Sequence, residues 1–141
     1  MGLVDILLEP FSEYAFERST GGSAIMLGAI FTALERPFLR TAPMLVIRSS
    51  MPGTGKGLIV RCLVWLAYGT LPVIMTWGQN KEEFEKRLAS ILITSPAAFS
   101  IDNANGMQIE GELLESIITE GSADIRLLGR SEMGRIQVAN A

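Results

Sequence analysis

Residues 44–56 read MLVIRSSMPGTGK, an apolar run followed by a glycine-rich turn and a lysine. The apolar part, Met44–Ile47, predicts a buried strand, and the apolar residues at helical spacing after Lys56 predict a helix. A strand, a turn and a helix N-terminus in this order direct backbone N–H groups and a partial positive charge into one concavity, which suits phosphate groups. The stretch therefore predicts an α/β fold whose first strand leads into a phosphate-binding loop.

The predicted phosphate-binding loop consists of Ser50, Met51, Pro52, Gly53, Thr54, Gly55, Lys56, Gly57 and Leu58. Gly53 and Gly55 allow positive φ, and Lys56 supplies a mobile charge for the outer phosphates of a nucleotide. The full Walker A pattern would place a glycine at Ser50 and a hydroxyl residue at Gly57, where the hydroxyl ligates Mg²⁺. The alternative interpretation is an ordinary strand–turn–helix corner that contains a lysine.

A second polar position follows another predicted strand, residues 97–102, which ends in Asp102. A phosphate-binding loop needs a carboxylate at the end of a neighbouring strand to hold Mg²⁺, so Asp102 is the predicted metal ligand. Asn103 comes next, and an amide can orient water but cannot accept a proton at neutral pH. Hydrolysis is then expected to be slow or to use another acid, such as Glu83 or Glu110. The alternative for this segment is a plain Asx-rich turn.

Two further groups of residues have two interpretations each. Arg126 and Arg130 can stabilise phosphate charge, often that of a neighbouring subunit, or can be solvated loop charges. The large aromatic residues are interpreted as core or interface residues rather than base-stacking platforms: Trp65, Trp77, Phe84 and Phe99.

Composition limits the class of protein. With 141 residues, of which 48% are hydrophobic, the chain predicts one core, residues 21–141, preceded by an N-terminal arm, residues 1–20. The net charge of −3 gives no overall basic balance, so nucleic-acid contact would need a local patch. The absence of histidine excludes His-based triads, and the single Cys62 is typical of a reducing cytoplasm. The apolar runs are too short or too interrupted to predict a membrane span.

The order of predicted elements favours a parallel sheet with helices on both faces. Helical periodicity, caps and glycine or proline stops alternate with short β-rich runs. The predicted helices cover residues 22–35, 56–69, 80–92 and 109–121, and the predicted strands cover residues 44–47, 72–77, 97–102 and 125–128.

Four ordered segments carry a resemblance to a known family: PGTGKGLIV at residues 52–60, Glu83–Leu88, Ile101–Asn103 and Arg126–Ser131. Together they resemble the ATPase segment of phage- and plasmid-type primase–helicase proteins, which belong to the AAA+-like branch of ASCE P-loop NTPases. The similarity extends from about Leu34 onward. It implies ATP and Mg²⁺ as ligands, a homo-oligomer such as a ring, and single-stranded DNA as the partner.

The resemblance also implies roles for particular residues. Lys56 matches the phosphate-binding lysine and Asp102 the Mg²⁺ acid. Relatives carry a polar sensor residue on a later strand, for which Asn140 in residues 136–140 is a candidate. That strand is more readily expected beyond Ala141, inserted between the strands that end in Ile47 and Asp102. We therefore expect a fold that is incomplete at the C-terminus, from a fragment or truncated product that is oligomeric, swapped or partly active.

Three functions remain open on these observations. The first is an ATPase module that couples hydrolysis to action on single-stranded DNA. The second is a catalytically idle nucleotide-binding or assembly module, which Gly57 and Asn103 favour. The third, a small-molecule phosphotransferase, would need an acceptor pocket and an arginine-rich lid, and neither is evident from the sequence.

Overall fold

The elements form a mixed α/β structure in a computed structural model that describes residues 2–16, 21–77, 80–104, 111–126 and 133–137. The helices are α1 (Leu3–Leu8), α2 (Gly22–Glu35), α3 (Lys56–Tyr68), α4 (Lys81–Ile93) and α5 (Glu112–Glu120), and the strands are β1 (Val73–Thr76), β2 (Phe99–Asp102), β3 (Ser122–Arg126) and β4 (Met133–Gln137). Short 3₁₀ turns follow α1 and α2, at Glu9–Phe11 and Arg36–Phe38. None of the described helices is both long and apolar enough to cross a bilayer.

The strands form two separate pairs. β1 and β2 are parallel, in a register that runs from Val73 opposite Phe99 to Thr76 opposite Asp102. β3 and β4 are antiparallel, from Ser122 opposite Gln137 to Arg126 opposite Met133. The parallel pair connected through α4 confirms the predicted α/β character, whereas the larger helix-covered sheet is reduced to these two strands in the described part of the chain.

The predicted strand Met44–Ile47 is wrong as a member of a sheet. The side chains alternate as a strand would, with Leu45 and Ile47 half-buried against the helices and Met44 and Val46 exposed. No backbone hydrogen bond joins residues 44–47 to any other described residue. The apolar alternation dictates an extended chain, but a strand also requires a neighbour to satisfy its N–H and C=O groups, and none of the described strands lies alongside.

Two clusters of buried side chains hold these elements together. The first joins the N-terminal turn to α2 and α3 through Phe11, Met26, Ile30, Ile59 and Leu63. The second joins the strands to α4 and α5 through Met75, Phe84, Leu88, Leu92, Leu114, Ile117 and Ala123. The segment predicted as an arm therefore supplies α1 and a core residue, since Phe11 is only 1% exposed.

Local signals set most helix ends. Asn80 caps α4 by accepting a hydrogen bond from the Glu83 N–H at 2.9 Å, as the capping sequence predicts. Gly69, at φ +65°, ends α3 in the left-handed conformation. The predicted start of the last helix, near residue 109, lies outside the described residues, as do residues 127–128 of the last predicted strand, of which the described part is β3.

Helix α4 offers a matched pair of aliphatic substitutions that tests the second cluster. Leu88→Ala removes a side chain that is 0% exposed and should lower the free energy of unfolding by about 2–5 kcal/mol through lost burial and a residual cavity. Ile93→Ala, at a position 49% exposed on the same helix, should change it by less than about 0.5 kcal/mol. Urea unfolding followed by circular dichroism measures both, and equal effects would show that the cluster is not a core.

Candidate functional site

The glycine-rich turn before α3 has the backbone conformation that the sequence predicts. Gly53 and Gly55 have φ of +75° and +81°, values that residues with a Cβ rarely adopt. Gly55 is the N-cap of α3, and its carbonyl accepts hydrogen bonds from the N–H groups of Leu58 at 2.9 Å and Ile59 at 3.0 Å. The turn therefore delivers the chain directly into the N-terminus of a 13-residue helix.

Hydroxyl groups and the lysine meet at the centre of this loop. Thr54 Oγ1 donates to Ser49 Oγ at 2.8 Å, and Ser49 Oγ donates to the Met51 carbonyl at 2.5 Å. Lys56 Nζ lies 3.5 Å from the same Ser49 oxygen, so the ammonium group is drawn over the loop and its residue is half-buried. Ser49, which precedes the predicted loop, is a site residue that the motif did not indicate.

The backbone N–H groups of residues 53–57 have no hydrogen-bond acceptor among the described residues. Of the loop amides, Met51 N–H bonds to Ser49 Oγ at 3.3 Å. A row of donors without partners at a helix N-terminus, beside an ammonium group, favours the binding of an anion with several oxygen atoms.

Tyr14 contacts the loop from the N-terminal segment. Its hydroxyl lies 3.5 Å from the Gly55 carbonyl oxygen, and a Cβ added at Gly55 would lie 3.0 Å from Tyr14 Cε1. Burial raises the pKa of the Tyr14 hydroxyl, and the Cys62 and Glu13 charges raise it further. Three aromatic residues in positions 11–16 were an available sequence signal, but nothing local in the sequence specifies that one of them contacts a glycine 41 positions away.

Asp102 and Asn103 lie at the carboxyl end of β2, as predicted, and both are exposed. The Asp102 carboxylate accepts a hydrogen bond from the Asn103 N–H at 2.8 Å, and Asn103 is left-handed with φ +59°, a conformation that asparagine tolerates. No described hydrogen bond or ion pair joins Asp102 to Lys56 or to the loop. Across the described ranges, no three Cys, Asp or Glu side chains converge as a metal site.

The remaining predicted site residues are placed as follows. Ser50, Met51, Pro52, Gly53, Thr54, Gly57 and Leu58 are exposed along the loop and the first turn of α3, and Gly55 is half-buried. Glu83, a candidate base, forms an ion pair with Arg87 at 2.5 Å. Arg126 closes β3, with its backbone opposite Met133. Glu110, Arg130 and Asn140 lie outside the described residues.

Two clefts lie beside these elements. One, of about 370 Å³, is lined by the carboxylates of Asp5 and Glu9 together with Phe11, Tyr14 and Phe16, so that Tyr14 is shared by this cleft and the loop. The other, of about 510 Å³, follows β1 and α4. A carboxylate-lined cleft repels phosphate, which leaves the loop itself as the better anion site.

Comparison of the chain with protein-family models, curated proteins and solved structures found no match. The assignment of a function therefore depends on the geometry of the loop and on the sequence motifs.

Two neighbouring glycines provide a test of the loop conformation. Gly55→Ala should lower the free energy of unfolding by about 1–2 kcal/mol, because φ is +81° and the new Cβ would meet the Tyr14 ring. Gly57→Ala is the matched control, because Gly57 is helical and nothing outside its chain neighbours and its own helix backbone lies within 4 Å of its Cβ position. It should raise stability by up to about 1 kcal/mol through the better helix propensity of alanine. Thermal unfolding measures both, and a stabilising Gly55→Ala would contradict the loop geometry.

Proposed function

We propose that the chain is an ATP-binding and ATP-hydrolysing module of the P-loop NTPase type, AAA+-like, that acts on single-stranded DNA as in primase–helicase proteins. The observation that carries the proposal is the row of unpartnered N–H groups at residues 53–57, at the N-terminus of α3 beside the Lys56 ammonium. Backbone N–H groups at a helix N-terminus are donors of the kind that bind phosphate oxygens. The resemblance of the surrounding motifs selects ATP and DNA.

In the proposed site the loop amides bind and orient the phosphate chain, and Lys56 neutralises the outer phosphates. The hydroxyl group that Gly57 lacks is available from Ser49 or Thr54, which lie 2.8 Å apart at the centre of the loop. Asp102 would complete the ligands of Mg²⁺, whose chemistry when bound is to neutralise charge on the transferring phosphate. Carboxylate and hydroxyl oxygens are the donors that this ion prefers.

Turnover is expected to be slow in the isolated chain. Asn103 can orient water without accepting its proton. The ion pair with Arg87 makes Glu83 less available as a base than the sequence allows. A homo-oligomer, such as a ring, would allow Arg126 and Arg130 to stabilise phosphate charge on a neighbouring subunit.

A second candidate is the idle nucleotide-binding or assembly module. One observation favours it: no described hydrogen bond or ion pair joins Asp102 to the loop, and the two belong to different buried clusters. A nucleotide could then bind to the loop without a positioned metal ligand, and binding would stabilise the fold without turnover.

Substitution of the lysine tests the site directly. Lys56→Ala should weaken ATP binding, measured by isothermal titration calorimetry, by at least about tenfold, because a charged hydrogen bond contributes about 1.5–3 kcal/mol. Lys81→Ala, an exposed lysine at the start of α4, is the control and should bind normally. Gly57→Ser should keep binding or strengthen its dependence on Mg²⁺. Unchanged affinity in Lys56→Ala would remove the site assignment.

Steady-state ATPase assays separate the two candidates. If the chain is the motor module, single-stranded DNA should stimulate phosphate release, and Asp102→Asn should lower the rate or raise the Mg²⁺ concentration that turnover requires. Binding of ATP without release, with or without DNA, would support the idle module instead. Asp124→Asn, an exposed acid on β3, serves as the control for loss of a carboxylate.

A further inference from the structure

Arginine and aromatic side chains lie along α3 from its middle to its C-terminal end, and just beyond the C-terminal end of α2. We define this Arg–aromatic strip as Arg36, Phe38, Arg40, Arg61 and Trp65. Phe38 is 90% exposed and Trp65 is 60% exposed, so the core alternative in the sequence interpretation is wrong for Trp65. Arg40 and Arg61 are exposed as well. Exposure of two large aromatic side chains to water is unfavourable in free energy, and a bound partner that covers them would remove this cost.

The two helices that carry the strip are joined near their C-terminal ends. The Tyr68 hydroxyl of α3 donates to the Ala33 carbonyl of α2 at 2.9 Å. Arg61, Trp65 and Tyr68 are spaced i, i+4 and i+7, which places them along one face of α3. The Arg36 backbone N–H donates to the same Ala33 carbonyl, so Arg36 and the Tyr68 hydroxyl lie beside one another. The 3₁₀ turn Arg36–Phe38 then carries the strip beyond the helix ends.

The arginines of the strip carry uncompensated charge. The ion pairs in the described part of the chain are Lys86–Glu82 and Arg87–Glu83, both on α4. Arg36 donates to the Leu39 carbonyl at 2.6 Å, which fixes its side chain without neutralising it. Residues 21–77 contain five cationic side chains and one acidic side chain, Glu35, although the whole chain has a net charge of −3. The N-terminal segment that packs on the same helices adds three acids, Asp5, Glu9 and Glu13, so the positive charge belongs to the unpaired cations and not to the whole first cluster.

We propose that the Arg–aromatic strip binds single-stranded nucleic acid, with bases stacked on Phe38 and Trp65 and phosphates bound by Arg36, Arg40 and Arg61. Unpaired cations interleaved with exposed π faces suit a flexible polyanion whose bases are free to stack. Arginine and aromatic side chains are also enriched at protein interfaces, so a contact between copies of the chain is the alternative occupant, which sedimentation tests below. The choice of DNA rests on the proposed function, but binding at the strip requires no nucleotide at the loop.

Fluorescence anisotropy of a labelled oligothymidylate, with the full chain and no ATP, tests the strip. Phe38→Leu keeps an apolar side chain but removes the π face, and it should weaken binding by roughly 5- to 150-fold, the range for one lost base stack. Phe38→Tyr, which keeps an aromatic ring, should bind as tightly as the unsubstituted chain. Arg40→Gln should reduce the slope of log affinity against log salt by about 0.7, whereas Arg87→Gln, an arginine already paired with Glu83, should leave it unchanged.

Tryptophan fluorescence gives a second readout that a purely structural role would not produce. Oligothymidylate should quench the emission of the protein by stacking on Trp65, and Trp65→Phe should remove the quenching. Trp77→Phe should retain it, because Trp77 is stacked on Phe84 in the second cluster with ring centroids 4.1 Å apart.

The outcomes distinguish the strip from the rest of the proposed function. The proposed nucleic-acid site is wrong if oligothymidylate does not bind, or if Phe38→Leu and Trp65→Phe leave its binding unchanged. ATP binding at Lys56 is tested separately, by calorimetry. Equal affinity for duplex DNA also overturns it, since paired bases cannot stack on side chains. A change in sedimentation of Phe38→Leu, with unchanged DNA binding, would identify the strip as a contact between copies of the chain.

Discussion

The turn at Gly53–Gly55 is the constraint from which the rest of the candidate site follows. Its two positive φ angles reverse the chain so that α3 begins at Lys56, with the amides of residues 53–57 left without acceptors. The same turn aims α3 so that Ile59 and Leu63 pack on α2 and on Phe11. The contact of Tyr14 with Gly55 ties the N-terminal segment to the loop as well. Loop geometry and the packing of the first cluster therefore depend on each other.

The two buried clusters divide the candidate machinery. The loop and Lys56 belong with α2 and α3, whereas Asp102 ends a strand that packs with α4 and α5. Phosphate binding can form within the first group alone, because amides and an ammonium group supply it locally. Metal-assisted hydrolysis also requires Asp102 to be positioned against the loop. Phosphate binding and turnover are therefore separate questions for this chain.

Charge is distributed as unevenly as the packing. Residues 21–77 are basic, whereas residues 80–126 contain nine acidic and four cationic side chains. On α4, Lys86 and Arg87 are paired with i,i+4 glutamates, but the cations near the loop and on the Arg–aromatic strip have no ion pair among the described residues. The unpaired cations are suited to bind anions, and we propose a nucleotide at the N-terminus of α3 and a nucleic-acid strand on the Arg–aromatic strip.

The sequence by itself determined the local features. Short-range sterics and hydrogen bonding determine three of these features. They are the helices with their caps at Asn80 and Gly69, the strand that ends in Asp102, and the conformation of the glycine turn. Only the tertiary structure decided whether Met44–Ile47 has a strand beside it, that Tyr14 packs on Gly55, and that Phe38 and Trp65 face solvent. Strand pairing and side-chain exposure depend on contacts with segments that are distant in the sequence. The spacing of side chains along one segment does not specify those contacts.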